Sequence, residues 1–263
     1  MTFLKRCACY AILISLAAVN AYADPINGYA INPRVFNDNP GSTLTITPSP
    51  INFNPATFTI NDAYTGAFSG ANRHDVLASG DGGATAYTFG IDSSFILTTR
   101  VTLTDGFNSP RKEAGIRINS PITGDALFII NSDAGEIVAF GGGAPFYIFG
   151  KNSGGNGYTP GTSILLGIRE IGGGDGAGGV ANTLEYFIDR GAGIETSGPL
   201  AWSNLELGPL DFQVGVYAQG GANASGDFVN AVFADTTFIT IPEPSVFTLL
   251  GLGILSLVFR RRR

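Results

Sequence analysis

The chain reads as an all-β protein, an antiparallel β-sandwich, and two observations predict it. Short runs rich in Thr, Ile, Val, Phe and Tyr recur along the 263 residues, each closed by Gly, Asn, Asp or Pro. Between the two ends of the chain, apolar residues at helical spacing are hard to find. About a dozen short strands with polar turns bury one face each only when two sheets share a core. No repeat of fixed period and no long polar spacer divides the body, so one domain is expected.

The elements follow in order. Asp24–Pro55 is rich in Pro and Asn (Asn32-Pro33, Asn39-Pro40-Gly41, Pro48-Ser49-Pro50, Asn54-Pro55), which are turn signals and edge-strand punctuation. Short strands are expected at Thr43–Thr47 and Thr57–Ile60, then at Ala84–Ile91, Phe95–Thr104, Ala114–Asn119 and Ala126–Asn131. The turn Asn131-Ser-Asp-Ala-Gly135 leads into Glu136–Phe140, and Phe146–Phe149 precedes a glycine-rich loop at Lys151–Gly157. Ser163–Ile171 and Thr183–Arg190 flank a second such loop, Gly172–Gly179, and the last group is Leu205–Leu207, Phe212–Ala218, Asn230–Phe233 and Thr236–Ile241.

Both ends look like addresses. Lys5 and Arg6 precede an apolar stretch from Ala11 to Val19 and then Ala21-Tyr22-Ala23, the layout of a secretory signal cleaved before Asp24 by signal peptidase. At the other end, Pro242 and Pro244 fix φ and remove backbone donors around Glu243, which keeps the segment extended and unpaired. Ser245–Phe259 carries no charge, and Arg260, Arg261, Arg262 and Arg263 follow as a positive flank retained on the cytoplasmic side. As a transmembrane helix, its 15 residues span about 22 Å against a hydrocarbon core of roughly 30 Å, so the arginines must snorkel. That length suits a transient anchor. The expected division is 1–23 signal peptide, 24–241 sandwich and 242–263 sorting tail.

Composition excludes several function classes. Cys7 and Cys9 lie within the signal, so the exported body has neither disulfides nor a thiolate metal site. Between Asp24 and Ile241, nine Lys and Arg stand against 20 Asp and Glu, a net charge of −11 where the whole chain carries −6. Such a body repels phosphate backbones, which excludes nucleic acid as a partner and suits divalent cations or neutral polysaccharide.

Two resemblances add to this. The succession Phe95–Thr104, Glu113-Ala-Gly-Ile-Arg117, Ala126–Asn131, Leu184-Glu-Tyr-Phe-Ile188, Phe212-Gln-Val-Gly-Val-Tyr-Ala218 and Val232-Phe-Ala-Asp-Thr236 resembles concanavalin A-like (laminin G-like) jelly rolls. There, a penultimate strand of the Val-Gly-Val type precedes a final strand carrying an aspartate. The tail resembles the PEP-CTERM sorting signal: Pro242-Glu243-Pro244, a short apolar span and a terminal arginine cluster, in that order. This resemblance implies recognition by exosortase, a membrane-embedded cysteine transpeptidase-like enzyme, and cleavage near Pro-Glu-Pro.

Candidate chemistry is sparse. His74, the lone histidine, in Asn72-Arg73-His74-Asp75 between Gly70 and Gly80, reads as an exposed loop residue, and no Gly-x-Ser-x-Gly elbow signals a hydrolase triad. Glycosidases need two acids about 5–9.5 Å apart. Glu185 and Asp189 face the same way on one strand but stand about 13 Å apart with Phe187 between them. The Glu-x-Asp-x-x-Glu type of cluster of the glycosidases among these jelly rolls is absent. Gly174-x-Gly176-x-x-Gly179 is no dinucleotide fingerprint, since a strand rather than a helix follows it. Asp81, Asp175, Asp227 and Asp235 lie in or beside expected loops; they leave room for a structural calcium but match no ligand motif, so no metal or cofactor is assigned. Trp202 reads as a sugar-stacking or a partly buried residue.

The expected function is an exported, exosortase-processed cell-surface or extracellular-matrix protein with a non-catalytic, polysaccharide-associated or structural sandwich. By the tail's resemblance it accompanies exopolysaccharide, as in a biofilm matrix. Its partners are the general secretion machinery, signal peptidase, exosortase and, before processing, the inner membrane. The alternative is a secreted glycan-active hydrolase on the same fold.

Overall fold

The structure, a computed structural model, describes residues 26–90, 93–120, 124–150, 157–172, 182–202 and 212–241. The signal with Ala21 and Ala23, the tail from Pro242 to Arg263, Asp175 and the expected strand Leu205–Leu207 lie outside the described residues.

In chain order the strands are β1 (Gly28–Asn37), β2 (Thr43–Thr47), β3 (Ala56–Ala63), β4 (Phe68–Ser79), β5 (Ser94–Asp105), β6 (Lys112–Ser120), β7 (Gly124–Asn131), β8 (Ile137–Phe140), β9 (Tyr147–Phe149), β10 (Ser163–Ile171), β11 (Asn182–Asp189), β12 (Ile194–Thr196), β13 (Leu200–Trp202), β14 (Gln213–Ala222) and β15 (Phe228–Ile241). They form two antiparallel sheets. One has the order β1-β4-β14-β6-β7-β8-β9; the other is β12-β11-β10-β5-β15-β3-β2, with β13 paired to β11. No described helix is long and apolar enough to cross a membrane.

Period-two patterning puts the core between the sheets. β5 buries Phe95, Leu97, Thr99, Val101 and Leu103 in strict alternation, and β11 buries Asn182, Leu184, Tyr186 and Ile188. From the other sheet, Val76, Ile116, Phe128, Val214 and Val216 meet them. The aromatic weight sits at one end, where Phe89, Phe95, Phe212 and Phe238 contact one another at centroid distances of 5.3–5.9 Å and Trp202 packs on Phe212. Trp202 is therefore a core residue, 2% exposed.

Four departures from the sequence reading have physical causes. Asn230–Phe233 and Thr236–Ile241 are one strand, β15, whose register to β3 shifts between Phe233 and Thr236. Asp235, at φ 52°, absorbs the extra residue of this bulge, so Val229, Ala231 and Phe233 and then Thr236 and Phe238 all point inward. The described part of the expected strand Ala84–Ile91, up to Gly90, forms no strand; Phe89 alone bridges Phe212. Asp81 gathers the hydroxyls of Ser79 and Thr85 and the Thr85 amide into a turn in its place. β1 forms across Asn32-Pro33 because it is an edge strand, with its irregularity between Asn32 and Phe36. β4, unanticipated, lies inside its sheet between β1 and β14.

Candidate functional site

Val76 and Ala78 of β4, Ala114, Ile116 and Ile118 of β6, and Val214, Val216 and Ala218 of β14 belong to the core. Alternation then turns Arg73, Asp75, Glu113, Gly115, Arg117, Gly215, Tyr217 and Gln219 to the outer face of the seven-stranded sheet. The register aligns Asp75, Tyr217, Gly115 and Ile129 in one row across β4, β14, β6 and β7. Neighbouring rows hold Leu77, Gly215, Arg117 and Leu127, and Arg73, Gln219, Glu113 and Asn131. Tyr217 clusters with Ile129 and Val138, two and three strands away, which carries its ring across Gly115. A Cβ at Gly115 would stand 2.1 Å from the Phe128 carbonyl oxygen, so this position admits only glycine.

Two arginines and two aspartates close an ionic circuit on this face. Arg117 bonds Asp75 through Nη1, and Asp125 Oδ1 through Nη2 at 2.6 Å and Nε at 3.0 Å. Arg73 Nη1 reaches Asp125 Oδ2 at 2.5 Å, and its Nε lies 3.6 Å from Asp75 Oδ1. Arg73 stands on β4 and Asp125 on β7, three strands across and six residues along, about 24 Å apart on a flat sheet. That is well beyond the combined reach of both side chains, so the face curves inward along this diagonal. The Phe36 ring, half exposed at the β1 edge, lies 4.3 Å from the Arg73 guanidinium carbon. Burial pushes the Asp75 carboxyl above its ordinary range, against the pull of Arg117 and Arg73.

Beside the circuit, Tyr217 donates its hydroxyl hydrogen to Glu113 Oε1 at 2.9 Å, and Arg111 Nε donates to Oε2 at 3.1 Å. Burial raises the Glu113 carboxyl, and burial together with the charge of Glu113 raises the Tyr217 phenol well above its usual value. A proton-abstracting tyrosine needs the opposite shift. A raised carboxyl suits a general acid, yet both Glu113 oxygens already accept bonds.

His74 corrects the sequence reading: it is fully buried on the inner side of β4. Its Nδ1 accepts the Arg34 amide hydrogen at 3.0 Å, and its Nε2 lies 3.1 Å from Asp62 Oδ2 on β3, in the other sheet. Asn72 adds a bond to the same Asp62 oxygen at 2.8 Å. The flanking glycines suggested a loop, but the run between them is an interior strand whose even positions face inward.

Asp227 is also buried. Its Oδ2 accepts from Lys112 Nζ at 2.7 Å and from the Asn223 amide, and its Oδ1 accepts the amides of Phe107 and Phe228. Lys112 Nζ also donates to the Phe107 carbonyl at 2.6 Å, so an ammonium holds the place a cation would take. Asp81 serves its turn, and hydrogen bonds, from Ser79 first, hold its carboxyl well below the usual range. Asp235 forms the β15 bulge. Among the described residues no three His, Cys, Asp or Glu gather as metal ligands.

The sequence reading missed Arg73, Asp75, Asp125 and the Glu113–Tyr217 pair. The available signal was polar residues two apart, Arg73-x-Asp75 and Glu113-x-Gly115-x-Arg117, on strands whose intervening positions face the core.

Residues 240–263 match the PEP-CTERM protein-sorting motif. No curated protein sequence matches the chain. Among solved structures it is similar to the alginate lyase from Corynebacterium sp., at 11% identity and TM-score 0.50, covering 82% of this chain and 95% of that one. Alginate lyase AlgAT5 from polysaccharide lyase family 7 gives 11% and 0.48 with the same coverages. Alginate lyase vAL-1 from Chlorella virus gives 13% and 0.46, covering 81% of this chain and 92% of that one. At 11% identity the likeness to the Corynebacterium lyase shows the fold alone, and with the two antiparallel sheets the body is an all-β jelly roll of the concanavalin A-like kind. The tail is a sorting signal, which implies export and transient membrane-bound processing by exosortase.

Proposed function

We propose that this is a cell-surface or extracellular-matrix protein whose sandwich associates with polysaccharide without cleaving it. The observation that carries the reading is the inward-curving outer face of the seven-stranded sheet. Its floor is an ionic circuit closed on itself, and its margin offers the half-exposed Phe36 ring with the partly exposed amides of Asn119, Gln213 and Gln219. An apolar ring beside a few polar groups is what orients a sugar. Around the face, Arg73, Arg111 and Arg117 are outnumbered by Asp75, Asp125, Asp133, Glu113 and Glu136, and the body carries −11, which favours an uncharged chain over an acidic one.

The processed protein goes from the inner membrane to the surface or matrix, where exopolysaccharide is the expected partner. The test is a glycan array run beside a polysaccharide-degradation assay on the secreted protein. Retention of neutral glycans without new chain ends is expected. Turnover that disappears in Glu113→Gln would overturn the non-catalytic reading. It would favour the second reading, a glycan-active hydrolase with Glu113 as acid, which its raised carboxyl supports.

A further inference from the structure

β15 is the last strand before the Pro-Glu-Pro segment, and it is fixed to the sandwich close to its end. The Phe238 ring is fully buried and stacks on Phe89 and Phe95 at 5.3 and 5.4 Å, with interplanar angles of 27° and 16°. On the β3 side the ladder ends at Thr236 opposite Ala56. There the side chain of Asn54 takes over. Its Nδ2 donates to the Phe238 carbonyl at 2.6 Å, and its Oδ1 accepts the Phe238 amide hydrogen at 2.9 Å. One carboxamide thus satisfies both backbone groups of Phe238, as a neighbouring strand would. Ile239 is half exposed, and only Thr240 and Ile241 then separate it from Pro242, which cannot donate to any ladder.

We infer that the sorting enzyme acts on a finished sandwich, and that the Asn54–Phe238 tie keeps β15 in its sheet when the tail is cut away. Every bond of this tie lies N-terminal to Pro242, so the fold loses none of them on processing. The cut breaks one peptide bond beyond Ile241. The sandwich keeps the carbonyl side, which passes to water or an acceptor amine, and the tail leaves as the free amine. Ile239–Ile241 reach about 10 Å at full extension. Along the chain, only these three residues stand between Phe238 and Pro242.

The test uses the full chain, produced in a host lacking exosortase and in one containing it. In the first, the membrane-bound precursor is expected to resist protease over residues 26–241 as fully as the processed protein from the second. A precursor digested to fragments until processing occurs would overturn the order of events. In the second host, Asn54→Leu is expected to be processed at the normal rate. Its product should then be trimmed by protease back past Phe238, read by intact mass. An Asn54→Leu product that keeps Phe238–Ile241 under the same protease would overturn the role of the tie. Where Asn54→Leu does not accumulate, Asn54→Asp keeps the acceptor, removes the donor and should show the same trimming.

Discussion

Tyr217 gives its hydroxyl hydrogen to Glu113 from the adjacent strand, at 2.9 Å and in a site where both side chains are buried. The bond fixes the direction of each group. Tyr217 is a donor held far from ionisation, and Glu113 is a carboxyl that prefers its proton more than a free one does.

Replacing Tyr217 with Phe keeps the ring over Gly115 and leaves Glu113 Oε1 without its donor. The expected loss is about 1–3 kcal/mol, the cost of an unsatisfied buried acceptor. Its pH dependence follows from sign. The folded Glu113 carboxyl lies above its unfolded value, so its contribution is present at low pH and is lost as pH rises through the folded value. Without the phenol that value moves higher still. Denaturant titrations of wild type and Tyr217→Phe should therefore differ more at pH 7 than at pH 4. A constant difference would contradict the assigned bond.

Arg117 joins Asp75 to Asp125. Arg117→Ala leaves a fully buried Asp75 facing only Arg73, with 3.6 Å between the nearest atoms. Removing one partner of a buried pair costs about 3–5 kcal/mol. Arg117→Lys should recover only part of it, since an ammonium cannot bond both aspartates in the same fork geometry. Urea unfolding midpoints measure both variants, and full recovery by Lys would show that charge rather than geometry holds the circuit.

How far the sequence could be read depended on whether a strand's two faces differ. β5 and β11 alternate between apolar and polar residues, and both were expected close to their observed limits. β4 is polar on both sides over Asn72–Asp75: Asn72 and His74 enter the core as a hydrogen-bonded cluster with Asp62, while Arg73 and Asp75 join the outer circuit. Neither face looked apolar, so the strand read as a loop and its histidine as exposed. The candidate site was hidden for the same reason. Its floor assembles from one or two residues on each of β4, β6, β7 and β14, brought together by register alone. The tail needed no fold, because its signal lies in consecutive residues.

Asp62 makes that buried cluster an acid-sensitive joint between the sheets. Burial works to raise its carboxyl, but hydrogen bonds from His74, Ser42 and Asn72 outweigh burial and hold it below the ordinary value. A depressed carboxyl contributes stability that is present above its unfolded value and is lost as pH falls through the folded one. Wild type should therefore weaken as pH drops below about 4. Asp62→Asn, which offers an amide where His74 and Asn72 donate, should be less stable at pH 7 by about 1–3 kcal/mol and lose less on acidification. Thermal unfolding between pH 3 and 7 measures both. A parallel pH profile in the variant would place the acid sensitivity elsewhere.

Glu170 presents the opposite sign. It points inward from β10, fully buried, opposite Phe95 and Leu184, with Asn182 Nδ2 at 3.5 Å from Oε1; Oε2 has no hydrogen-bond partner among the described residues. Burial raises this carboxyl well above its ordinary value, opposed only weakly by Asn182. The folded state therefore holds a proton that the unfolded chain releases, and stability declines as pH rises from the unfolded value toward the folded one. Glu170→Gln keeps the size and the acceptor for Asn182 and removes the ionisation. It should melt at a higher temperature than wild type at pH 7, by the equivalent of about 1–2 kcal/mol. The gap should close as pH falls below about 4, where the carboxyl becomes protonated in the unfolded chain as well as in the folded one. Equal melting temperatures at pH 7 would mean that water or a further donor reaches Oε2.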